Sequence, residues 1–386
     1  MKIKSFIFLF LFSISICDGQ KSNQKSIIQF IFTSDAHYGI KRNTFRNSNG
    51  VEGHIVNAAM VKEMNLLSQV KLPADGGVNT DKIAGPVDFV IEGGDVANRM
   101  EVPIQSAAES WKQFDSDYIQ GITLKDYYGK RTKVFVIPGN HDITNAIGFY
   151  RAMNPQVDPS SMVEIYNKML KPLKPKTTKI YKYSRDKINY SKNIRGIHFM
   201  FINLWPDSSE RIWMEKDLQF ISSKTPVIIF AHDQPECEAK HFTNPDKTSG
   251  INAKDKFENL LDEVYKDGTT AVADGGNTDI EQQGWVSFLK KHPNIKAYFH
   301  GNSNYNEYYQ YKGPDNNISL NTFRVDSPMK GKYSSKDETK LSFQLITINT
   351  KLLVMTIREC LWNSDPTHAG NSIKWGESKT ISLLYK

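Results

Sequence analysis

The sequence predicts an α/β domain of stacked layers with parallel or mixed sheets, closed by a β-rich C-terminal extension. Two observations predict it. Short apolar, β-rich runs alternate with helix-like runs along most of the chain, the signature of strand–helix–strand units. Several of those apolar runs also end abruptly in a small block of Asp, Asn, His or Gly. Ligands of layered α/β sheets collect just beyond the carboxyl ends of strands, so the shared placement of these blocks carries more weight than any one of them.

Taken in order, residues 27–33 form an apolar strand that leads to Asp35. Residues 57–70 read as a helix, because Met60, Met64, Leu67 and Val70 recur at helical spacing. Residues 87–91 form a strand leading to Asp95, 134–137 one leading to Pro138-Gly139-Asn140, 227–231 one leading to His232, and 295–299 one leading to His300-Gly301. Two stretches break the alternation. Residues 171–192 are rich in Lys, Pro and Tyr and join a helix to a hairpin-like region; residues 234–280 include an amphipathic helix near 257–264. Insertions that leave the active edge of a sheet commonly wall the substrate. Residues 308–311, 319–325, 341–349 and 352–358 read as meandering strands that complete a sheet. Residues 20–386 are thus one domain, with a core of about 27–305 and a C-terminal β extension of about 306–386.

Residues 1–19 stand apart. Lys2 and Lys4 precede an apolar run too short to span a bilayer, and Cys17-Asp18-Gly19 offers a cleavage site before Gln20. This is the pattern of a signal peptide, so the mature chain is expected to be exported, to a periplasmic or extracellular setting. A lipid on Cys17 would instead hold it at the cell surface, although Ile16 fits a lipobox poorly. No later segment reaches transmembrane length. Loss of two lysines and one aspartate with the leader lowers the formal charge of +7 by one. That modest excess suits a small anionic substrate, while the absence of an aromatic stacking pattern argues against nucleic acid. Cys237 and Cys360 could pair in an oxidising compartment, but neither has a neighbour at metal-ligand spacing.

The blocks carry the chemistry. Asp35 and His37 lie two apart after a strand, and a hard oxygen with an imidazole suits a divalent first-row ion. Asp95 follows two glycines, and its two oxygens can bridge two cations. Asn140 offers a carbonyl oxygen and His232 another imidazole. An ion pair held there would lower the pKa of a shared water and clamp a phosphoryl group for in-line attack. His141 faces away from Asn140 in extended geometry, which leaves it free to stabilise phosphoryl oxygens or to protonate a leaving group. Among the neighbours, Asn98 and Arg99 follow the bridging carboxylate, and Arg99 can grip a phosphate or make a surface salt bridge. Asp142 can orient the His141 loop or cap the next helix.

As an ordered set, the blocks resemble the calcineurin-like metallophosphoesterases: D-x-H at 35–37, G-D-x-x-N at 94–98, G-N-H-D at 139–142, and a lone His232. The resemblance implies a four-layer α-β-β-α double β-sandwich. It implies a first metal on Asp35, His37 and Asp95, a second on Asp95, Asn140 and His232, and His141 as catalytic acid. The expected cofactors are two divalent ions among manganese, iron, zinc, magnesium and calcium. The expected reaction is hydrolysis of a phosphate mono- or diester; a non-catalytic binding module and an exported nuclease are the alternatives. The departure is the fifth block, where the resemblance would place two histidines and the chain has Asn302 and Asn304. Neutral amide oxygens there favour harder metals, or a single well-supplied position, or a site that binds without turnover. An extended chain would let His300 replace a missing imidazole; a bend at Gly301 would leave it behind the site.

Overall fold

The structure, a computed structural model, describes residues 26–98, 105–144, 158–183, 185–236, 279–367 and 373–385. The leader with Cys17, Arg99, Cys237 and the helix expected near 257–264 lie outside the described residues. Strands are numbered in chain order. The first sheet runs β14 (Lys374–Ser382), β13 (Val354–Leu361), β12 (Ser342–Asn349), β1 (Ile27–Thr33), β4 (Phe89–Glu92), β5 (Lys133–Val136). The second runs β10 (Glu307–Tyr311), β11 (Leu320–Arg324), β9 (Ile295–His300), β8 (Val227–Phe230), β7 (Ile197–Phe201), β6 (Tyr190–Ile194). A small hairpin, β2 (Lys41–Phe45) and β3 (Ser48–Glu52), follows the first motif.

The first sheet is parallel from β1 to its β5 edge and antiparallel on the other side, whereas the second has a parallel centre and an antiparallel strand on each flank. β1, β4 and β5 are parallel, with Phe32 opposite Ile91 and Ile91 opposite Phe135. β7, β8, β9 and β11 are parallel likewise. The two sheets meet through aromatic rings. Phe30 stacks on Phe89 at 4.8 Å and meets Phe199, Phe230 and Phe299 edge-on at 5.9, 5.8 and 6.1 Å. Each such ring contributes roughly 1.5–3 kcal/mol by burial, so this seam is the main apolar tie between the sheets.

Parallel strands need crossovers of one hand, so the helices between β1 and β4 and between β4 and β5 share a face of the first sheet. The inner face is filled by the second sheet, which leaves the outer one. There α1 (Gly53–Leu66) and α2 (Ala107–Phe114) bury Met60, Met64, Trp111 and Phe114. Helix α1 begins before residue 57 and yields to a 3-10 turn at Leu67–Gln69, so Val70 falls outside it. Ser106 caps α2 by accepting from the Glu109 N–H at 3.2 Å. Three more helices, α3 (Asn140–Thr144), α4 (Ser160–Leu170) and α5 (Ser208–Leu218), precede α6 (Asp279–Lys291). On the second sheet Phe299 points inward, so Tyr298 points outward, where it meets Trp285 of α6 at 6.2 Å. The result is the α-β-β-α double sandwich.

The C-terminal strands do more than complete one sheet. β12 pairs antiparallel along β1, and β11 pairs parallel with β9, so the segment after residue 305 supplies both sheets. A long strand at Lys374–Ser382, unmarked by sequence pattern, forms the outer edge.

Candidate metal centre

All five polar blocks leave the carboxyl ends of parallel strands, three from the first sheet and two from the second. The backbone there is bent hard. Asp35, His37, Asp95, Asn302 and Asn304 all have positive φ, between 44° and 61°. Strain of this kind costs on the order of 1 kcal/mol per residue and persists only where the surroundings enforce it. The enforcement is close packing: a Cβ on Gly139 would lie 2.2 Å from Asp95 Oδ1, and one on Gly94 2.6 Å from His232 Nδ1. These two glycines let the second, third and fourth blocks touch.

Asp95 sits at the centre. Its Oδ2 lies 3.7 Å from His37 Nε2, 3.8 Å from His141 Nε2 and 3.4 Å from His232 Nε2. Its Oδ1 accepts the His141 main-chain N–H at 2.8 Å. Asp35 Oδ1 is 3.5 Å from His37 Nε2, and Asn140 Oδ1 is 3.1 Å from His232 Nε2. The whole group is buried.

The outer partners set the rings. His37 Nδ1–H donates to Asn98 Oδ1 at 2.6 Å, and His232 Nδ1–H donates to Gly93 O at 2.9 Å. Both Nε2 atoms are thereby aimed at Asp95. The Asn98 amide then donates from Nδ2 to His141 Nδ1 at 3.0 Å, which places the ring proton of a neutral His141 on Nε2. One amide therefore gives His37 and His141 opposite tautomers. Asp142 accepts N–H groups from Val96, Ala97 and Gly139 at 3.1, 3.0 and 2.9 Å, and so fastens the second block to the third.

Burial would raise the Asp95 carboxyl, yet His232 and His141 prevail and hold it well below the usual range. Burial opposes charge on His232, but Asp95 prevails and holds that ring well above its ordinary pKa. Cationic charge is what Asp95 demands at this point. Burial, reinforced by Lys330, drives His141 well below its ordinary value. Burial, with Asp35 and Asp142 adding repulsion, pushes the Glu92 carboxyl beneath the site well above the usual carboxylate range.

The family profile of the calcineurin-like phosphoesterases matches residues 28–327, most of the chain. The chain belongs to this family. Among solved structures, it is similar to a Vps29 variant from Entamoeba histolytica (9% identity, 92% of this chain and 100% of that one, TM-score 0.33). It is also similar to the phosphopantetheinyl hydrolase PptH of Mycobacterium tuberculosis (11%, 79% and 91%, TM-score 0.34). A third is the calcineurin-like phosphoesterase YfkN of Bacillus subtilis (12%, 93% and 91%, TM-score 0.30). No curated protein matches the chain.

A calcineurin-like phosphoesterase depends on metal, and the donor set fits. Two ligand atoms, each about 2.1 Å from one ion at a tetrahedral angle, lie roughly 3.4 Å apart. The spacings around Asp95 straddle that value. Asp35 Oδ1 and His37 Nε2 are also buried without a hydrogen bond, a costly arrangement that a cation resolves. Asp35, Asp95 and His232 form one candidate cluster, and His37, Asp95 and His141 another.

The two asparagines of the fifth block, both expected as ligands, are engaged differently. The left-handed turn at Asn302 directs its amide to Asp233 Oδ1 at 2.9 Å and Gln234 Oε1 at 3.4 Å, while its main-chain N–H donates to Asp35 Oδ2 at 3.0 Å. Asn302 thus braces the loop through its Nδ2 and its main-chain N–H. Asn304 differs: its Nδ2 donates to Asn302 O at 2.7 Å, and its Oδ1 is buried with no hydrogen bond. His300 supplies no missing imidazole. It bonds Gly301 O through Nδ1 and the Tyr309 hydroxyl through Nε2, each at 3.0 Å, behind the site.

Sequence reasoning missed Lys330, whose Nζ lies 3.3 Å from His141 Nε2. It also missed Glu92 and Asp233. The signal for Lys330 was the strand-end rule applied once more, because Lys330 follows β11. Reading that strand as part of an antiparallel meander concealed its parallel pairing with β9.

Proposed function

We propose that this protein is an exported, metal-dependent phosphoesterase that hydrolyses a phosphate mono- or diester of a small anionic substrate. The observation that carries the reading is the buried Asp95 cluster. Four blocks, distant in sequence, bring carboxylates, imidazoles and an amide oxygen to ligand spacing, with two donor atoms lacking any hydrogen bond. Bound divalent ions supply acidified water and charge neutralisation to such a cluster.

This chain's own residues would do the rest. Asp35, His37 and Asp95 would hold one ion, and Asp95, Asn140 and His232 the other, with Asn304 Oδ1 as a further oxygen donor. Asn98 keeps the ring proton of His141 on Nε2, the atom that faces Asp95 Oδ2 at 3.8 Å, where it can donate to a phosphoryl or leaving-group oxygen. Asp142 fixes the distance between His141 and Asp95.

Manganese-loaded protein assayed on aryl phosphate mono- and diesters tests this. Turnover is expected, reduced at least about 1000-fold in Asp95→Ala and roughly 100-fold or more in His141→Ala. Stoichiometric metal with no turnover on any ester overturns the enzyme reading in favour of a binding module. Preference for DNA or RNA over small esters would favour the nuclease. Export rests on residues 1–19. The mature chain recovered outside the cytoplasm is expected to begin at Gln20, and an intact leader on the mature protein would refute export.

A further inference from the structure

The segment Ser327-Pro328-Met329-Lys330-Gly331 follows β11 and is pinned from three sides. Ser327 Oγ donates to Asp35 O at 2.8 Å and accepts the N–H groups of Met329 and Lys330 at 3.1 and 2.9 Å. Arg42 donates to Pro328 O at 2.8 Å, and Lys332 N–H donates to Asn304 O at 2.6 Å. The Lys330 backbone is therefore fixed between the first and fifth metal loops. Its ammonium reaches back to His141 Nε2 at 3.3 Å. That nitrogen carries the ring proton, because Nδ1 accepts from Asn98. Two donors thus face one another, and among the described residues the Lys330 ammonium has no other hydrogen-bond partner. A partly buried ammonium beside an N–H is satisfied by an anionic oxygen that accepts from both.

We propose that Lys330 and His141 form a two-donor clamp for a phosphoryl oxygen, with Lys330 a substrate-contacting residue of this site. Lys330 supplies an ammonium group from a segment tied to Asn304 of the fifth block, where the asparagines are neutral. The proposal rests on the phosphoesterase reading and adds to it a residue outside the five blocks.

Calorimetric titration of orthophosphate into manganese-loaded full-length protein tests the clamp, with manganese content measured on the same samples. Lys330→Gln is expected to bind phosphate about 10- to 100-fold more weakly at unchanged manganese content, and Lys330→Arg to recover most of the affinity. Unchanged phosphate affinity in Lys330→Gln overturns the clamp, as does loss of manganese from that variant, which would make Lys330 a support of the metal centre. If Lys330→Gln fails to fold, Lys330→Met against Lys330→Arg makes the same comparison. A wild-type protein that turns over aryl esters while Lys330→Gln keeps full phosphate affinity sinks the clamp alone. A manganese-loaded wild type that neither binds phosphate nor turns over any ester sinks the phosphoesterase reading with it.

Discussion

Asp326 shows how much free energy single residues store near this site. It is buried next to the Ser327 that anchors the Lys330 segment, and neither carboxylate oxygen has a well-formed hydrogen bond. Burial lifts its pKa to about 8, against the weaker opposing pull of Ser334, Ser327 and Arg42. Because the folded pKa is raised, its contribution is fully present below about pH 4, the unfolded carboxyl value. It is lost as pH rises through about 8. Asp326→Asn should therefore match wild type near pH 4 and exceed it near pH 8 by on the order of a few kcal/mol. Denaturant unfolding across that pH range checks this, and parallel profiles would contradict it. Without the pairing of β11 beside β9, the sequence marks neither Asp326 nor Lys330, since an Asp and a Lys after a strand read as ordinary solvated turn residues. Asp35, His37, Asp95, Asn140, His141 and His232 were legible because their types and order are unusual together. What sequence could not supply was the direction of each side chain, as Asn302 shows by turning to Asp233.

At the scale of elements, the strand-end rule explains both the successes and the omission. Runs that end in Asp, Asn or His marked β1, β4, β5, β8 and β9 to within a few residues, because a strand buried on both faces is an uninterrupted apolar run. β11 runs into Asp326, but with no second Asp, Asn or His in the block that ending read as a plain turn, so its parallel place beside β9 was hidden, and β14 carries too exposed a pattern to stand out. The fifth loop is where an element-level prediction bites. Asn304 Oδ1 is buried and unpaired while the Asn302 amide is engaged, so the two positions should respond differently to histidine. Asn304→His should raise zinc affinity by about tenfold or more. Asn302→His should gain less, because it must first give up the bond to Asp233. Competition with a zinc-binding chelator reads both affinities; equal gains, or none, would mean that the loop does not present residue 304 to a metal.

For the whole molecule, the two sheets act as one device for bringing distant blocks together. The aromatic seam around Phe30 fixes the sheets face to face, and so places the ends of β1, β4 and β5 against those of β8 and β9. The C-terminal strands extend both sheets and deliver Lys330, so they belong to the site as much as to the scaffold. The layered α/β class was readable from alternation alone, whereas the pairing of β12 with β1 joins residues too far apart in sequence for any local pattern to reveal. All of this converges on Asp95 as the shared ligand of a metal centre. The most direct test is the number of divalent ions retained per chain after manganese loading and desalting. The wild-type protein should hold close to two and Asp95→Ala close to none, because both positions lose their common carboxylate. Retention of both ions by Asp95→Ala, or none by the folded wild type, would contradict the account.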